Sequence, residues 1–312
     1  MSTEHDFTQS NIGNSIVNQS KDQIDVHHVI DKPCGCNSKG TNCGCNTMSK
    51  NMPESFVYSI GKIEWLCPNR SIDKEIDQAA GRLKPSEIKG MTREEVRLKT
   101  ITDPNNRYLA RQLCYIFKIE GIESFILIPV DPLDIDRLVR SLVALPGRFG
   151  DIDVIVGKMG PLASPHVCNG HMLPMVAVDQ IYSFDREALV KSIPKKKVEN
   201  ENQFENTAET LFNHIIQIAD NAGITDEHRA INYLSVRFDE IYHKTQEMQD
   251  EDFWFNGIET RISRLSISRK IVDVILNYEN RKNRVIRRWF VRVDVTEEFP
   301  FLASEMQEFY ER

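Results

Sequence analysis

Apolar and polar residues change their spacing several times along this chain, and each change marks an element. Residues 1–53 are rich in Ser, Asn, Asp, Lys and Gly, with few regularly spaced apolar positions to offset the entropy of ordering. They are expected to form a flexible tail. A β-type run follows over 56–65, carried by Phe56, Val57, Tyr58, Ile60 and Ile63. Ser71 ahead of Ile72, Ile76 and Ala79 predicts one amphipathic helix. Thr92 with Glu95 three residues on is a capping box and predicts a second, and a third is expected over 105–113 behind Pro104.

Two β-rich runs, 114–119 and 125–129, flank Gly121 and read as a hairpin. Ile135, Leu138, Val139, Leu142 and Val143 recur at steps of three and four, so a helix should lay one apolar face on that hairpin before Pro146-Gly147 ends it. Strands are expected over 153–156 and 175–181, separated by a long loop holding Pro161, Pro165, Gly170 and Pro174. Phe204, Ala208, Leu211, Phe212, Ile215 and Ala219 make a helical stripe stopped by Gly223. Thr225 opens another helix, with Ile231, Leu234, Phe238 and Ile241, and so short a connection predicts antiparallel packing.

The last quarter returns to β character: 271–278, a polar turn, then 285–295 with Trp289, Val291, Val293 and Val295 on one face. No fixed-period repeat and no regular strand–helix alternation is present. The expected class is α+β: a mixed or mainly antiparallel sheet with hairpins at both ends, covered by helices that include a long helical hairpin. Residues 54–312 would form this domain behind the 1–53 tail.

Composition narrows the function classes. The 39 basic and 46 acidic residues are intermixed and sum to −7, which argues against nucleic acid as a partner. No window approaches the roughly 18 apolar residues of a membrane span, and the polar N-terminus lacks the apolar core of a signal peptide. A cytoplasmic protein is expected, and its 7 cysteines are expected as thiols or metal ligands rather than disulfides. Exposed edges of the two hairpins leave room for a homodimer.

Cys34-Gly35-Cys36 and Cys43-Gly44-Cys45 are two Cys-x-Cys pairs whose four thiolates would suit zinc, although structural zinc sites use Cys-x2-Cys spacing and an apolar shell. A thiol-rich linker explains them as well. His166, Cys168 and His171 form a second set of zinc-binding residue types in a Pro/Gly-bounded loop, against the plain reading of loop packing. Asp226 and His228, beside Asp220, Asn221, Glu227 and Arg229, are the raw material of acid–base catalysis. Acidic residues after Thr225 also oppose a helix dipole, which favours a structural role. Asp294, Glu297 and Glu298 near Arg292, and the basic, hydroxyl-rich stretch 263–270, are weaker candidates for metal and phosphate. Phosphate-loop, dinucleotide, nucleophile-elbow and His-Glu-x-x-His motifs are absent.

Six stretches carry a family resemblance: Phe56-Val-Tyr-Ser-Ile-Gly-Lys-Ile-Glu64, Asn106-Arg-Tyr-Leu-Ala-Arg-Gln-Leu-Cys114, Cys168-Asn-Gly-His171, Asp179-Gln-Ile-Tyr-Ser-Phe-Asp185, Thr225-Asp-Glu-His-Arg229 and Phe290-Val-Arg-Val-Asp-Val-Thr-Glu-Glu-Phe-Pro-Phe-Leu302. In collinear order over residues 54 to 312 they resemble the C-terminal domain of the PatG-type cyanobactin maturation proteases. The protease and macrocyclase activity of that family belongs to a subtilisin-like domain, which has no matching positions here, and the C-terminal domain is of unknown function. The resemblance implies an accessory or scaffold protein in ribosomal peptide natural-product biosynthesis, with a precursor peptide or peptide-modifying enzymes as partners. The alternative is a metal-dependent peptide-modifying enzyme built on Cys168, His171 and His228.

Overall fold

The computed structural model describes residues 54–143, 151–193, 201–265 and 268–310. The first part is a closed five-stranded barrel. Strand β1 (Phe56–Leu66) is followed by α1 (Arg70–Ala80), α2 (Arg93–Thr102) and the single turn α3 (Arg107–Ala110). Then come β2 (Cys114–Ile119), β3 (Ile122–Pro129), α4 (Asp134–Ser141), β4 (Asp151–Leu162) and β5 (Pro174–Asp185). Around the barrel the order is β1-β2-β3-β5-β4.

Closure depends on β1 serving two neighbours. Its first half pairs antiparallel with β4, from Phe56 opposite Lys158 to Gly61 opposite Asp153, and its second half with β2, from Lys62 opposite Lys118 to Leu66 opposite Cys114. Gly61 sits at the changeover, where a Cβ would lie 2.2 Å from the Lys118 carbonyl oxygen, so only glycine fits. β3 and β5 pair in parallel over four residues; all other ladders are antiparallel.

The second part contains α5 (Arg186–Ser192), α6 (Glu201–Ile216), α7 (Asp226–Arg237) and α8 (Glu240–Asp250). A five-stranded sheet follows, of β6 (Phe253–Ile262), β7 (Ile271–Asn280), β8 (Ile286–Asp294) and the short β9 (Phe301–Leu302) and β10 (Gln307–Glu308). Its path is β10-β8-β7-β6, with β9 also on β8. The class is therefore α+β, with a hairpin in each half.

Strand alternation gives the barrel two packed faces. Val57 and Ile63 of β1, Phe117, Phe125 and Ile155 join Ile72, Ile76, Ile101, Leu109 and Leu138 from the first four helices in one core. Tyr58, Ile60, Val154 and Val156 point the other way, into a larger core with Phe204, Leu211, Leu234 and Ile241 and with Val272, Val274, Val291 and Val293 of the second sheet. The seam between the halves is polar at one point. Tyr58 donates its N–H to the Gly223 carbonyl at 2.9 Å, and its own carbonyl accepts from Asn232 Nδ2 at 2.9 Å. Asn232 in turn is bonded to the buried Asn221. Gly223 has φ +69, and a Cβ there would fall 2.2 Å from the Tyr58 carbonyl oxygen.

Local signals map closely onto these elements. Thr92 and Glu95 form the expected capping box at α2, and Thr225 accepts from the His228 N–H at α7. At α1 the cap is Asn69, two residues before the expected Ser71, because its side chain accepts from both Ser71 and Ile72 N–H groups. The helix beginning after Thr225 does not continue through Phe238: that residue is extended (φ −130, ψ 92), ends α7, and leaves α8 to pack along α6. β6 and α5 were not expected. β6 lacks a clean alternation because its register shifts between Phe255 and Gly257.

The cysteines require a correction. Cys114 on β2 and Cys168 in the β4–β5 loop form a disulfide, their Cα atoms 5.6 Å apart, while Cys67 is a free thiol. The start of β5 pairs with Ile126 of β3, which pairs in turn with Ile116 of β2, so the β4–β5 loop crosses one strand to reach Cys114, and Ala163 and Cys168 pack there with Ile116 and Ile126. Among the described residues no helix is long and apolar enough to cross a membrane.

Candidate functional site

Cys34, Cys36, Cys43 and Cys45 lie outside the described residues. The second metal set does not assemble as read: the Cys168 sulfur is bonded to Cys114, His166 is exposed, and His171 Nδ1 lies 2.9 Å from Glu123 Oε2 on β3. Among the described residues no group of three or more His, Cys, Asp or Glu side chains is placed to hold a metal ion. The loop is instead tied down twice, by sulfur at Cys168 and by the imidazole–carboxylate contact at His171. His228 stands at the start of α7, and with Cys168 in the disulfide the three residues of the alternative reading are not a metal-holding group among the described residues.

At that helix start Asp226 is engaged by cations, Lys270 Nζ at 3.2 Å and Arg229 Nη1 at 3.5 Å. Burial pulls the His228 pKa down, against the carboxylates of Glu227 and Asp220. This arrangement is that of a capped, charge-paired helix end.

The neighbouring Arg229, which the sequence offered only as a member of this charged cluster, is the residue the fold encloses. Its side chain is 2% exposed. It donates to the carbonyls of Val295 at 2.9 Å, Glu298 at 3.1 Å and Glu297, and its guanidinium lies 5.2 Å from the centroid of the Phe56 ring. One buried cation thus joins α7, the segment after β8 and the first residue of β1.

Close by, Glu298 Oε1 is enclosed without a hydrogen-bond partner. Its carboxyl is pushed up from 4.5 to about 8, first by burial and then by the hydrogen bond and charge of Asp179, with Lys158 and Arg229 opposing. The folded chain therefore keeps a proton that the unfolded chain releases at lower pH, so this group's contribution to stability falls as pH rises from 4.5 through about 8. Glu298→Gln should flatten the pH dependence of the melting temperature between about pH 5 and about pH 8 and raise it above that range. Thermal melts of both proteins across the range are the check, and an unchanged slope would place the carboxyl in open water.

A groove of about 720 Å³ is lined entirely by residues of the second half. Helix α6 buries Phe204, Ala208, Leu211 and Ile215 and turns Asn202, Asn206, Thr210 and His214, each one turn apart, outward. These side chains form one wall. Gln249 and Thr245 of α8 form the floor, where Thr207 donates to Gln249 Oε1 at 2.7 Å and Thr245 shares a hydrogen bond with Tyr278. Trp254 and Phe255 at the start of β6 close the end, with the Arg281 guanidinium 3.8 Å from the centroid of the Trp254 ring. None of these residues had stood out in the sequence except the Phe204–Ile215 stripe that positions the wall. The wall itself was legible as the polar complement of that stripe.

The arrangement offers side-chain amides and hydroxyls, an exposed aromatic face and one guanidinium along an open trough. Such groups can pair with backbone amides and anchor an aromatic or anionic side chain.

Comparison with known proteins locates this trough within a family. A solved structure described as "PatG Domain of Unknown Function" matches with a TM-score of 0.65 at 16% identity, covering 82% of this chain and 98% of that chain. At that identity it is the fold that is shared. No curated protein matches. The family model described as PatG C-terminal matches residues 198–309, which include every residue lining the groove. Residues 198–309 of this chain thus form a PatG C-terminal domain.

Proposed function

We propose that this protein is an accessory binding module of ribosomal peptide natural-product biosynthesis, of the cyanobactin type, and that it holds an extended precursor peptide in the groove between α6, α8 and the start of β6. The observation that carries this reading is the lining. Asn202, Asn206, Thr210 and Gln249 supply neutral donors and acceptors suited to peptide backbone, and Trp254 supplies an exposed aromatic anchor. The volume lies within the range of about 300–1,000 Å³ usual for ligand clefts. The PatG C-terminal match over the same residues supports the biosynthetic setting. A peptide-modifying enzyme whose own exposed segment enters the groove would be bound by the same chemistry.

Selection of phage-displayed random peptides with free C-termini against the whole chain tests the reading. Enrichment of peptides that compete for one site is expected. Trp254→Ala should weaken the enriched peptides by about 2 kcal/mol, or about thirtyfold, in fluorescence anisotropy titrations. Failure to enrich any peptide, or binding indifferent to Trp254, would remove the groove from consideration.

A further inference from the structure

We infer that the groove selects peptides bearing a carboxylate, which Arg281 engages at the Trp254 end; this deepens the proposed function and rests on it. Among the twelve residues that line the groove, Arg281 is the only Lys, Arg, Asp or Glu. Its cationic neighbours in the chain are already paired: Lys282 with Asp252 at 2.6 Å, Arg284 with Glu279 at 2.7 Å, and Arg287 with Glu251. No carboxylate lies within ion-pair distance of Arg281 among the described residues. In a chain with a net charge of −7, the one groove cation is thus left with its donors uncommitted.

Contact with Trp254 fixes where that cation sits, at the aromatic end of the groove. With its Cζ 3.8 Å from the ring centroid the guanidinium is held over the indole, while its N–H edges have no carboxylate partner among the described residues. A planar carboxylate meets such an edge with two parallel hydrogen bonds, a match that a neutral amide cannot make. The neighbouring wall residues, Asn202 and Asn206, carry no charge that would repel an anion. Two sources present this group in a peptide, an Asp or Glu side chain and the C-terminus, and the site recognises the chemistry they share.

The test uses a peptide enriched in the selection above, synthesised with its acidic side chains intact or changed to amides, and with a free or amidated C-terminus. Removing the engaged carboxylate is expected to weaken binding about tenfold to a hundredfold, and Arg281→Gln should weaken the parent peptide equally while leaving the amide form unaffected. Affinity of the parent should also fall with added salt. Loss on amidating the C-terminus assigns the terminal carboxylate, loss on changing the side chain assigns the acidic residue, and either supports the inference. Peptides that bind equally well in all forms, with Arg281→Gln without effect, would overturn it and leave the peptide groove standing. If no peptide is enriched at all, the groove reading itself falls and takes this inference with it.

Discussion

Replacing Arg229 with methionine is expected to destabilise the fold by about 3–5 kcal/mol, the range for breaking a buried charged network. Methionine fills much of the same volume but donates nothing. The carbonyls of Val295, Glu297 and Glu298 then lose the donors that now satisfy them, and an unpaired buried polar group costs about 1–3 kcal/mol. The contact with the Phe56 ring goes too. Arg229→Lys should recover only part of the loss, since one ammonium cannot span three carbonyls held by a guanidinium fork. Urea unfolding near neutral pH measures this: the midpoint should drop with the slope unchanged, and a loss under about 1 kcal/mol would show that water replaces the guanidinium at no great cost.

The second large effect concerns sulfur. The Cys114–Cys168 bond closes a loop with a sequence separation of 54, and both residues are buried, at 6% and 3% exposure. Cys114→Ala with Cys168→Ala should remove about 2–4 kcal/mol, mostly through the greater freedom of the unfolded chain. A thiol reductant acting on the parent protein should approach the same midpoint, whereas it should leave the double variant unmoved. Peptide binding in the groove is expected to persist, because the groove is lined by residues of α6, α8, β6 and Arg281, whereas Ala163 and Cys168 of the β4–β5 loop pack with Cys114, Ile116 and Ile126 of the barrel. Coincident unfolding of parent and variant would mean that hydrogen bonds such as Ala163 N–H to the Leu173 carbonyl suffice to hold that loop.

The particulars show where sequence reasoning reached its limit. The capping box at Thr92, the Thr225 cap and the apolar face from Trp289 to Val295 were legible because each depends on residues within one or two turns or on a single strand. The double use of β1 was not, since nothing in 56–66 records that its two halves meet different partners about 50 to 100 residues away. The disulfide was hidden for the same reason: spacing alone does not say which cysteines become neighbours. Around Thr225 the eye falls on His228 and Asp226, residues with catalytic chemistry, yet the buried member is Arg229, whose acceptors are 66 to 69 positions away. The groove was invisible as a site because Trp254 and Arg281 meet only once β6 and β7 pair.

The seam at Tyr58 also bears on how the chain acquires its fold. Barrel closure needs β5, so the ladder begun by β1 and β2 stays open until residue 185 is available. The bond from Asn232 to Tyr58 spans 174 positions, and the apolar side of β1 that packs on α6 to α8 has no cover before then. Long-range pairings of this kind slow folding, because a large loop must close before its contacts repay the lost entropy. During synthesis from the N-terminus, Tyr58, Ile60, Val154 and Val156 would therefore face water the longest, and the arrival of α7, rather than completion of the barrel, is the event that hides them.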